Sequence, residues 1–142
     1  MRYLKIHTLE NGWCDKDEML LHAAFQLLVD FVEKEQPGEI VDWDADESHK
    51  KSWKEIQSLY QWWKDERPAR KSPLDDAKIK HPPMEFEKIP NSDLSRMVEY
   101  DKEKYATYDR ALAESVQLEQ QWEEQDQRNL HRLIDIRQFL WT

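Results

Sequence analysis

This chain of 142 residues contains only two glycines, one cysteine and no long apolar segment. A β-sandwich or a phosphate-cradling loop needs backbone with positive φ, so glycine at only Gly12 and Gly38 argues against both. Cys14 has no partner for an internal disulfide, which suits a reducing cytosol. No apolar run approaches about 18 residues, and the amino terminus lacks the apolar region of a signal peptide. We therefore expect a cytoplasmic protein that is neither exported nor membrane-bound.

The chain is rich in tryptophan and in charged residues. Seven tryptophans argue against disorder although charged residues make up 36% of the sequence, because each indole ring can bury a large apolar area. The length suits a single α-helical domain spanning residues 1–142. We predict an all-α fold, a helical bundle of three to five helices with a long proline-rich connection and a long, kinked carboxy-terminal helix.

The amino-terminal quarter predicts an arm followed by a helix. In residues 1–14, apolar and polar side chains alternate weakly as far as the turn signal Asn11–Gly12. We favour an arm packed on the helices over a short strand. Asp15 followed by Glu18 has the pattern of a capping box. The helix that this box opens is expected to stop at Pro37–Gly38.

A second helix is expected to start near Asp44 or Asp46 and to end at Arg67–Pro68, because the residue before a proline is pushed out of the α region. Apolar residues recur in it at spacings of three and four, which defines a core-facing stripe. The stripe consists of Trp53, Ile56, Tyr60 and Trp63, widened by Leu59 and Trp62.

The remaining chain predicts a loop and one long helix. Residues 68–90 hold all but one of the six prolines, which indicates an extended connection rather than a secondary-structure element. From Asn91 onward glycine and proline are absent, and we predict a helix through to Thr142. Such a helix would be about 70 Å long, whereas a compact chain of this size is about 35 to 40 Å across. We therefore expect a break within Asp101–Lys104 or Gln125–Asn129, with some dimerisation. The apolar stripe of this helix consists of Tyr105, Tyr108, Leu112, Trp122, Leu133 and Leu140.

Acidic side chains gather in two stretches of this chain, whose formal net charge is −9. Residues 39–47 and residues 111–127 each contain five acids and no base. An acidic surface disfavours direct binding of nucleic acid or of anionic membrane and favours a partner with a basic surface. The predicted interaction patch consists of Glu114, Glu119, Glu123, Glu124 and Asp126, with a second patch at Asp42, Asp44, Asp46 and Glu47.

The aspartates of the second patch also copy the first ligand positions of a calcium loop. The sixth position of that loop is Glu47 instead of glycine and the twelfth is Trp53 instead of glutamate, so the calcium motif fails. Capping of the following helix explains these aspartates better. The five histidines show no zinc-ligand spacing.

One segment places aromatic rings beside bases as single-strand-binding surfaces do, and it consists of Trp62–Lys64 followed by Arg67, Arg70 and Lys71. The acids Asp65 and Glu66 lie between them and weaken that interpretation. We interpret the segment as a capped helix end rather than a nucleic-acid interface.

Carboxylates also line up on two predicted helices. On the first helix, His22, Gln26, Asp30 and Glu33 share one face, which we interpret as its wet side. On the last helix, three acids at offsets of four and three converge on one face. If the two faces meet, the acids could hold Mg²⁺, and two such ions could activate water for phosphoryl chemistry. The metal ligands under this alternative are Asp30, Glu33, Glu119, Glu123 and Asp126.

The D-x-x-E of Asp30 and Glu33, together with the E-x-x-x-E-x-x-D of Glu119, Glu123 and Asp126, resembles the all-α nucleoside triphosphate pyrophosphohydrolases. Bundles of that family carry E-x-x-E and E-x-x-D pairs around Mg²⁺. The resemblance implies a Mg-dependent nucleotide pyrophosphohydrolase. This chain departs from the family because its first motif begins with aspartate and basic phosphate-binding residues are not evident nearby.

A second resemblance covers most of the chain. It is to a group of small uncharacterised tailed-bacteriophage proteins, and its motifs are Cys14–Asp17, Phe25–Glu33, Trp62–Trp63 with Arg67–Pro68, and Leu133–Thr142. It implies a protein made in an infected bacterium, where small acidic helical proteins bind and block host enzymes or defence complexes. The leading hypothesis is thus a phage interaction protein with no catalytic residues and no cofactor. It would bind and modulate or inhibit a basic host or defence protein, and the alternatives are the hydrolase and a virion or structural component.

Overall fold

The structure, a computed structural model, describes residues 3–141 and is all-α. Its helices are α1 (Lys16–Lys34), α2 (Pro37–Ile40), α3 (Glu47–Gln61) and α4 (Ala106–Asp135). A small antiparallel sheet consists of β1 (Phe86–Lys88) and β2 (Ser95–Met97). The predicted fold class is confirmed. Within residues 3–141, the helices lack the combination of length and apolar character that crossing a bilayer requires.

The chain forms two compact units. The first contains the chain up to Arg70 and from Glu123 onward, and the second contains Lys71–Trp122. The expectation of one domain over residues 1–142 stays a prediction. Two positions of the expected arm, Met1 and Arg2, and the last predicted helical position, Thr142, lie outside the described residues.

Helix α1 begins where the sequence predicts it. Asp15 occupies the N-cap position, but its side chain makes no capping hydrogen bond, so the predicted capping box with Glu18 is wrong. The helix ends at Lys34, before the expected Pro37–Gly38 stop. Gln36 adopts a left-handed φ of 50°, which ends the helical path and lets proline start the single turn of α2.

Helix α3 starts at the predicted aspartate. The Asp46 carboxylate accepts a hydrogen bond of 2.8 Å from the backbone N–H of His49. After Gln61 the chain continues as a π-helical turn, Trp62–Glu66, and a 3₁₀ turn, Arg67–Ala69, so the helical path reaches the predicted proline. A π turn holds more residues than an α turn. Trp62 and Trp63 at its start are both buried, as the predicted stripe requires.

The core of the first unit is aromatic at its centre. The Phe25 ring is fully buried, stacks on Trp63 at 4.6 Å and 11°, and meets Trp62 edge-on at 5.3 Å. Side chains from α1, from α3 and from the end of α4 form one cluster, so these three helices share a single core. Its buried members include Leu21, Leu28, Phe31, Ile56, Leu59, Leu133 and Ile136.

The second unit is held by rings and by one pair of hydroxyls. Tyr100 meets Tyr105 and Tyr108 edge-on at 5.7 and 5.9 Å, and the His81 ring lies 5.1 Å from Tyr108. The Oγ atoms of Ser72 and of Ser115, which is buried on α4, are 2.9 Å apart. This unit therefore orders part of the proline-rich segment against α4.

A hairpin replaces both the end of the predicted connection and the start of the predicted last helix. Strands β1 and β2 pair antiparallel, with Phe86 opposite Met97. Asn91 has φ of 59°, and the Ser92 N–H donates to the Ile89 carbonyl at 3.2 Å, as in a turn with a left-handed third residue. The extended connection over residues 68–90 and the helix from Asn91 are thus wrong in this region.

Helix α4 starts only at Ala106, after a turn that follows Asp101. A hairpin and not a helix precedes Asp101, so the predicted break of one long helix within Asp101–Lys104 is wrong, and the helix also continues through Gln125–Asn129. Of the predicted stripe, Tyr105 and Leu133 are buried and Leu112 is exposed.

Candidate interaction site

An acidic segment connects α2 to α3 in the first unit. We call residues 39–47, which run from the end of α2 to the first residue of α3, the acidic loop. Trp43 is 7% exposed, its indole Nε1 donates to the Pro37 carbonyl at 2.9 Å, and its ring stacks on Trp53 at 4.8 Å and 15°. Because this residue points inward, Asp42 and Asp44 on either side of it point outward, and both are exposed. A buried aromatic side chain therefore fixes the loop from its middle.

Hydrogen bonds to backbone N–H groups hold the loop carboxylates in place. Asp42 Oδ1 accepts from the backbone N–H of Asp44 at 3.1 Å. Asp46 accepts from the backbone N–H of His49 and lies 2.9 Å from its ring nitrogen, and this backbone bond lowers the pKa of Asp46. The capping role predicted for this cluster is thus present at Asp46. All four acids of the predicted second patch, Asp42, Asp44, Asp46 and Glu47, are exposed.

The acids predicted as a patch on α4 do not form a single surface. At about 100° per residue, Glu114 and Glu124 lie on one side of the helix, and Glu119, Glu123 and Asp126 lie on roughly the opposite side. The four glutamates are exposed. Asp126 is instead largely covered, because two arginine side chains lie against it. The acids predicted as one patch on α4 therefore lie on two faces of the helix. The charge of Asp126 is neutralised by the two arginines.

A partly buried charge cluster surrounds Asp126. Arg67 binds this carboxylate with two parallel bonds of 3.1 Å, and Arg70 Nη2 donates to it at 2.8 Å. The same Arg70 nitrogen donates to Gln125 Oε1 at 2.7 Å. Burial alone would raise the pKa of Asp126, but the hydrogen bonds from the two guanidinium groups outweigh it and lower that pKa. We call Arg67, Arg70 and Asp126 the charge cluster.

Both arginines of the charge cluster also cover tryptophan rings. The Arg67 guanidinium carbon lies 4.9 Å from the centre of the Trp63 ring, and that of Arg70 lies 5.7 Å from the Trp62 ring. Both indole rings are buried. This segment therefore offers neither open rings for base stacking nor uncompensated guanidinium groups for phosphates.

The acids predicted as metal ligands are paired with other groups or stand apart. Asp30 lies 2.9 Å from Lys34 Nζ, and Glu33 lies 3.6 Å from Lys64 Nζ, in a cleft of about 330 Å³ beside α1. Glu123 is exposed, and Glu119 is exposed in the second unit. Within residues 3–141, no three His, Cys, Asp or Glu side chains lie close enough together to hold a metal ion. The Mg²⁺ hypothesis therefore gains no support from the geometry.

Two polar side chains of the predicted wet face of α1 are buried. His22 Nδ1 lies 2.7 Å from Thr8 Oγ1, and the His22 ring meets Trp63 edge-on at 4.9 Å. Gln26 Oε1 accepts from the backbone N–H of His7 at 3.1 Å. The wet-side interpretation is wrong for His22 and Gln26, because the amino-terminal arm covers them and supplies their hydrogen-bonding partners.

Buried His22 predicts a loss of stability in weak acid. Burial lowers the pKa of His22 and nearby Arg67 lowers it further, against an opposing effect of Glu18 and Asp126. Because the ring in the unfolded chain takes up a proton near 6.5 while the folded ring resists it, stability is expected to decline as the pH falls below 6.5. Thermal unfolding from about pH 7 to about pH 5 measures this slope. His22→Gln is expected to flatten it, with His131→Gln, at an exposed position, as the control. If the stability of His22→Gln falls with pH as steeply as that of wild type, His22 is not the cause of the acid sensitivity.

Comparisons with known proteins give no further guide to function. No protein-family profile, no curated protein and no solved structure matches this chain. The two resemblances noted in the sequence thus stay predictions.

Proposed function

We propose that this chain is an acidic helical interaction protein that binds a basic surface of a partner protein through the acidic loop. The observation that carries the proposal is the anchoring of the loop by buried Trp43, with exposed Asp42 and Asp44 on either side. A loop that is already held in one conformation loses little conformational entropy on binding. Its carboxylates therefore act as a preformed negative surface.

Two acids of the first unit outside the acidic loop are bound by arginine side chains. Glu55 accepts from Arg132 at 2.8 Å, and that hydrogen bond lowers the pKa of Glu55. Asp126 is bound by both arginines of the charge cluster. Residues 39–47 contain no base at all. Within the loop, the His49 ring lies beside Asp46 and Lys50 Nζ lies 3.6 Å from Glu47, so Asp42 and Asp44 present its most available negative charge.

Complementary charge acts mainly on the rate and the specificity of association. A net charge of −9 attracts a basic partner over distances of about a screening length. Binding is therefore expected to be fast and to weaken with salt.

The resemblance to small tailed-bacteriophage proteins supports a host enzyme or defence complex as the partner. Basic surfaces on such proteins commonly bind anions such as nucleic acid. An acidic protein seated there would exclude those anions and inhibit the partner without any reaction of its own. This chain would then act by occupying a surface.

Neutralising the acidic loop tests the proposal. The variant carries Asp42→Asn, Asp44→Asn, Asp46→Asn and Glu47→Gln; asparagine still caps a helix, so the charge changes while the fold is kept. Capture of a basic protein from bacterial lysate at about 0.1 M salt is expected to fall at least about tenfold relative to wild type. Raising the salt to about 1 M shortens the screening length from about 10 Å to about 3 Å and is expected to release the wild-type complex.

A second variant with the same change in net charge serves as the control. It removes four exposed acids outside the loop, through Glu10→Gln, Asp65→Asn, Glu66→Gln and Asp93→Asn. This control is expected to capture the partner as wild type does. Equal losses in the two variants would show that net charge alone matters, and no loss in the loop variant would refute the proposed site.

A further inference from the structure

The hairpin of the second unit presents an apolar face to solvent. Side chains alternate across a strand, so the opposed residues Phe86 and Met97 share a face, which we call the hairpin face. Their exposed fractions are 62% and 60%. Met84 lies two residues before Phe86, on the same side of an extended chain, and is 76% exposed. Three large apolar side chains therefore lie together in water.

The opposite face of the hairpin has a different character. Glu87 lies opposite Arg96 and forms an ion pair with it. Ile89 and Val98, which alternation places on that side, are partly buried. A two-stranded hairpin has little stability without a surface to pack against. Leu94 on that side is exposed as well, but Ile89 and Val98 give it contact with the rest of the unit, whereas every side chain of the hairpin face between Met84 and Lys88 and between Ser95 and Glu99 is exposed.

Charges at the two ends of the hairpin face have opposite signs. Lys88 lies on this face opposite Ser95, one step from the Phe86–Met97 pair toward the turn. Glu99 lies two residues beyond Met97, so alternation places it on the same face at the other end. The hairpin face therefore has a basic residue at one end, apolar side chains at its centre and an acidic residue at the other end.

We infer that the hairpin face is the interface of a homodimer. In such a dimer the two-fold axis lies in the plane of the interface and passes over the centre of the Phe86–Met97 pair, so the apolar centres of two copies meet. With this axis perpendicular to the line from Lys88 to Glu99, the rotation exchanges the ends of the face and brings Lys88 of each copy to Glu99 of the other. The face is thus complementary to itself in charge as well as in apolar character, and this selects a second copy as its occupant. The inference is independent of the partner bound by the acidic loop.

Methionine suits such an interface. Its unbranched side chain adapts to the shape of an opposing surface, and Met84 and Met97 flank the aromatic ring. Patches of exposed large apolar side chains on folded proteins mark sites of association. With three such side chains in each copy, the interface belongs to the small, reversible class.

Charge reversal at the ends of the face tests this inference. Wild type is expected to shift from 17.3 kDa toward twice that mass in sedimentation equilibrium as its concentration rises from about 1 µM to about 1 mM. Lys88→Glu and Glu99→Lys are each expected to raise the dimer dissociation constant about tenfold, because each creates two like-charge contacts per dimer. The double variant Lys88→Glu/Glu99→Lys restores both contacts and is expected to dimerise within about threefold of wild type.

Two further variants separate the interface from general effects of charge and apolar character. Lys78→Glu changes the charge by the same amount at an exposed site outside the hairpin and is expected to leave the dimer unchanged. Phe86→Lys is expected to abolish the dimer, while circular dichroism reports that the helices are retained. A mass of 17.3 kDa at every wild-type concentration would overturn the inference. So would a double charge variant that dimerises no better than the single ones.

Discussion

Replacing Asp126 by alanine is expected to lower the free energy of unfolding by about 3 kcal/mol. The charge cluster places its carboxylate between Arg67 and Arg70, whose side chains are only 20% and 15% exposed. Removing Asp126 takes the closest carboxylate away from two poorly hydrated guanidinium groups. Urea unfolding followed by circular dichroism measures the change.

Two variants define what the Asp126 experiment reports. Asp126→Asn keeps the shape and one hydrogen-bond acceptor but removes the charge. Its free energy of unfolding is therefore expected to lie between that of wild type and that of Asp126→Ala. Glu123→Ala removes an exposed acid one helical turn away and is expected to change stability by no more than about 0.5 kcal/mol. If Asp126→Ala costs no more than Glu123→Ala, the charge cluster does not stabilise the fold.

Replacing Phe25 by alanine is expected to cost about 4 kcal/mol. The Phe25 ring is fully buried, stacks on Trp63 and meets Trp62 edge-on. Its removal opens a cavity beneath both indole rings, and the rigid helices around them can close it only in part. The free energy of unfolding in urea measures the loss, and tryptophan fluorescence reports the change around the rings.

The matched control for Phe25 is Leu27→Ala on the same helix. Leu27 is exposed and lies outside the core cluster, so its truncation is expected to change stability by less than about 1 kcal/mol. Similar losses for the two variants would contradict the assigned core. A blue-shifted fluorescence maximum retained in Phe25→Ala would show that the cavity stays dry.

Local patterns predicted the helices of the first unit well. The start of α3 at Asp46 follows from the preference of aspartate for the N-cap, and its stripe follows from apolar spacing. The π turn was not predictable in this way, because spacing rules assume a constant number of residues per turn. The burial of Trp62 and Trp63, by contrast, follows from the predicted stripe, which includes both.

The hairpin was missed because its turn lacks glycine. Asn91 takes the left-handed conformation that glycine usually supplies, and Pro90 before it presets the first turn angle. The dipeptide was therefore a turn signal, but it stood at the boundary assigned to a loop and a helix. The absence of glycine after Gly38 favoured a continuous helix from Asn91, although asparagine can also adopt the left-handed conformation that a turn needs.

The charge cluster could not be predicted from the sequence, for a different reason. Arg67 and Asp126 are 59 positions apart, and no local rule connects them. Asp126 was grouped with its neighbours on α4, because helical spacing brings acids together without showing what faces them. His22 was likewise placed in water, since nothing in α1 itself shows that the arm returns over it.

The π turn at Trp62–Glu66 also bears on how this chain can change over evolutionary time. A π turn takes in one residue more than an α turn, so deleting one residue between Lys64 and Glu66 would restore ordinary α geometry and leave Arg67 and Arg70 facing nearly the same way. Deleting one residue from α3 itself would instead rotate both arginines by about 100° relative to the start of that helix. Single-residue deletions are thus expected to be tolerated better within the π turn than within α3.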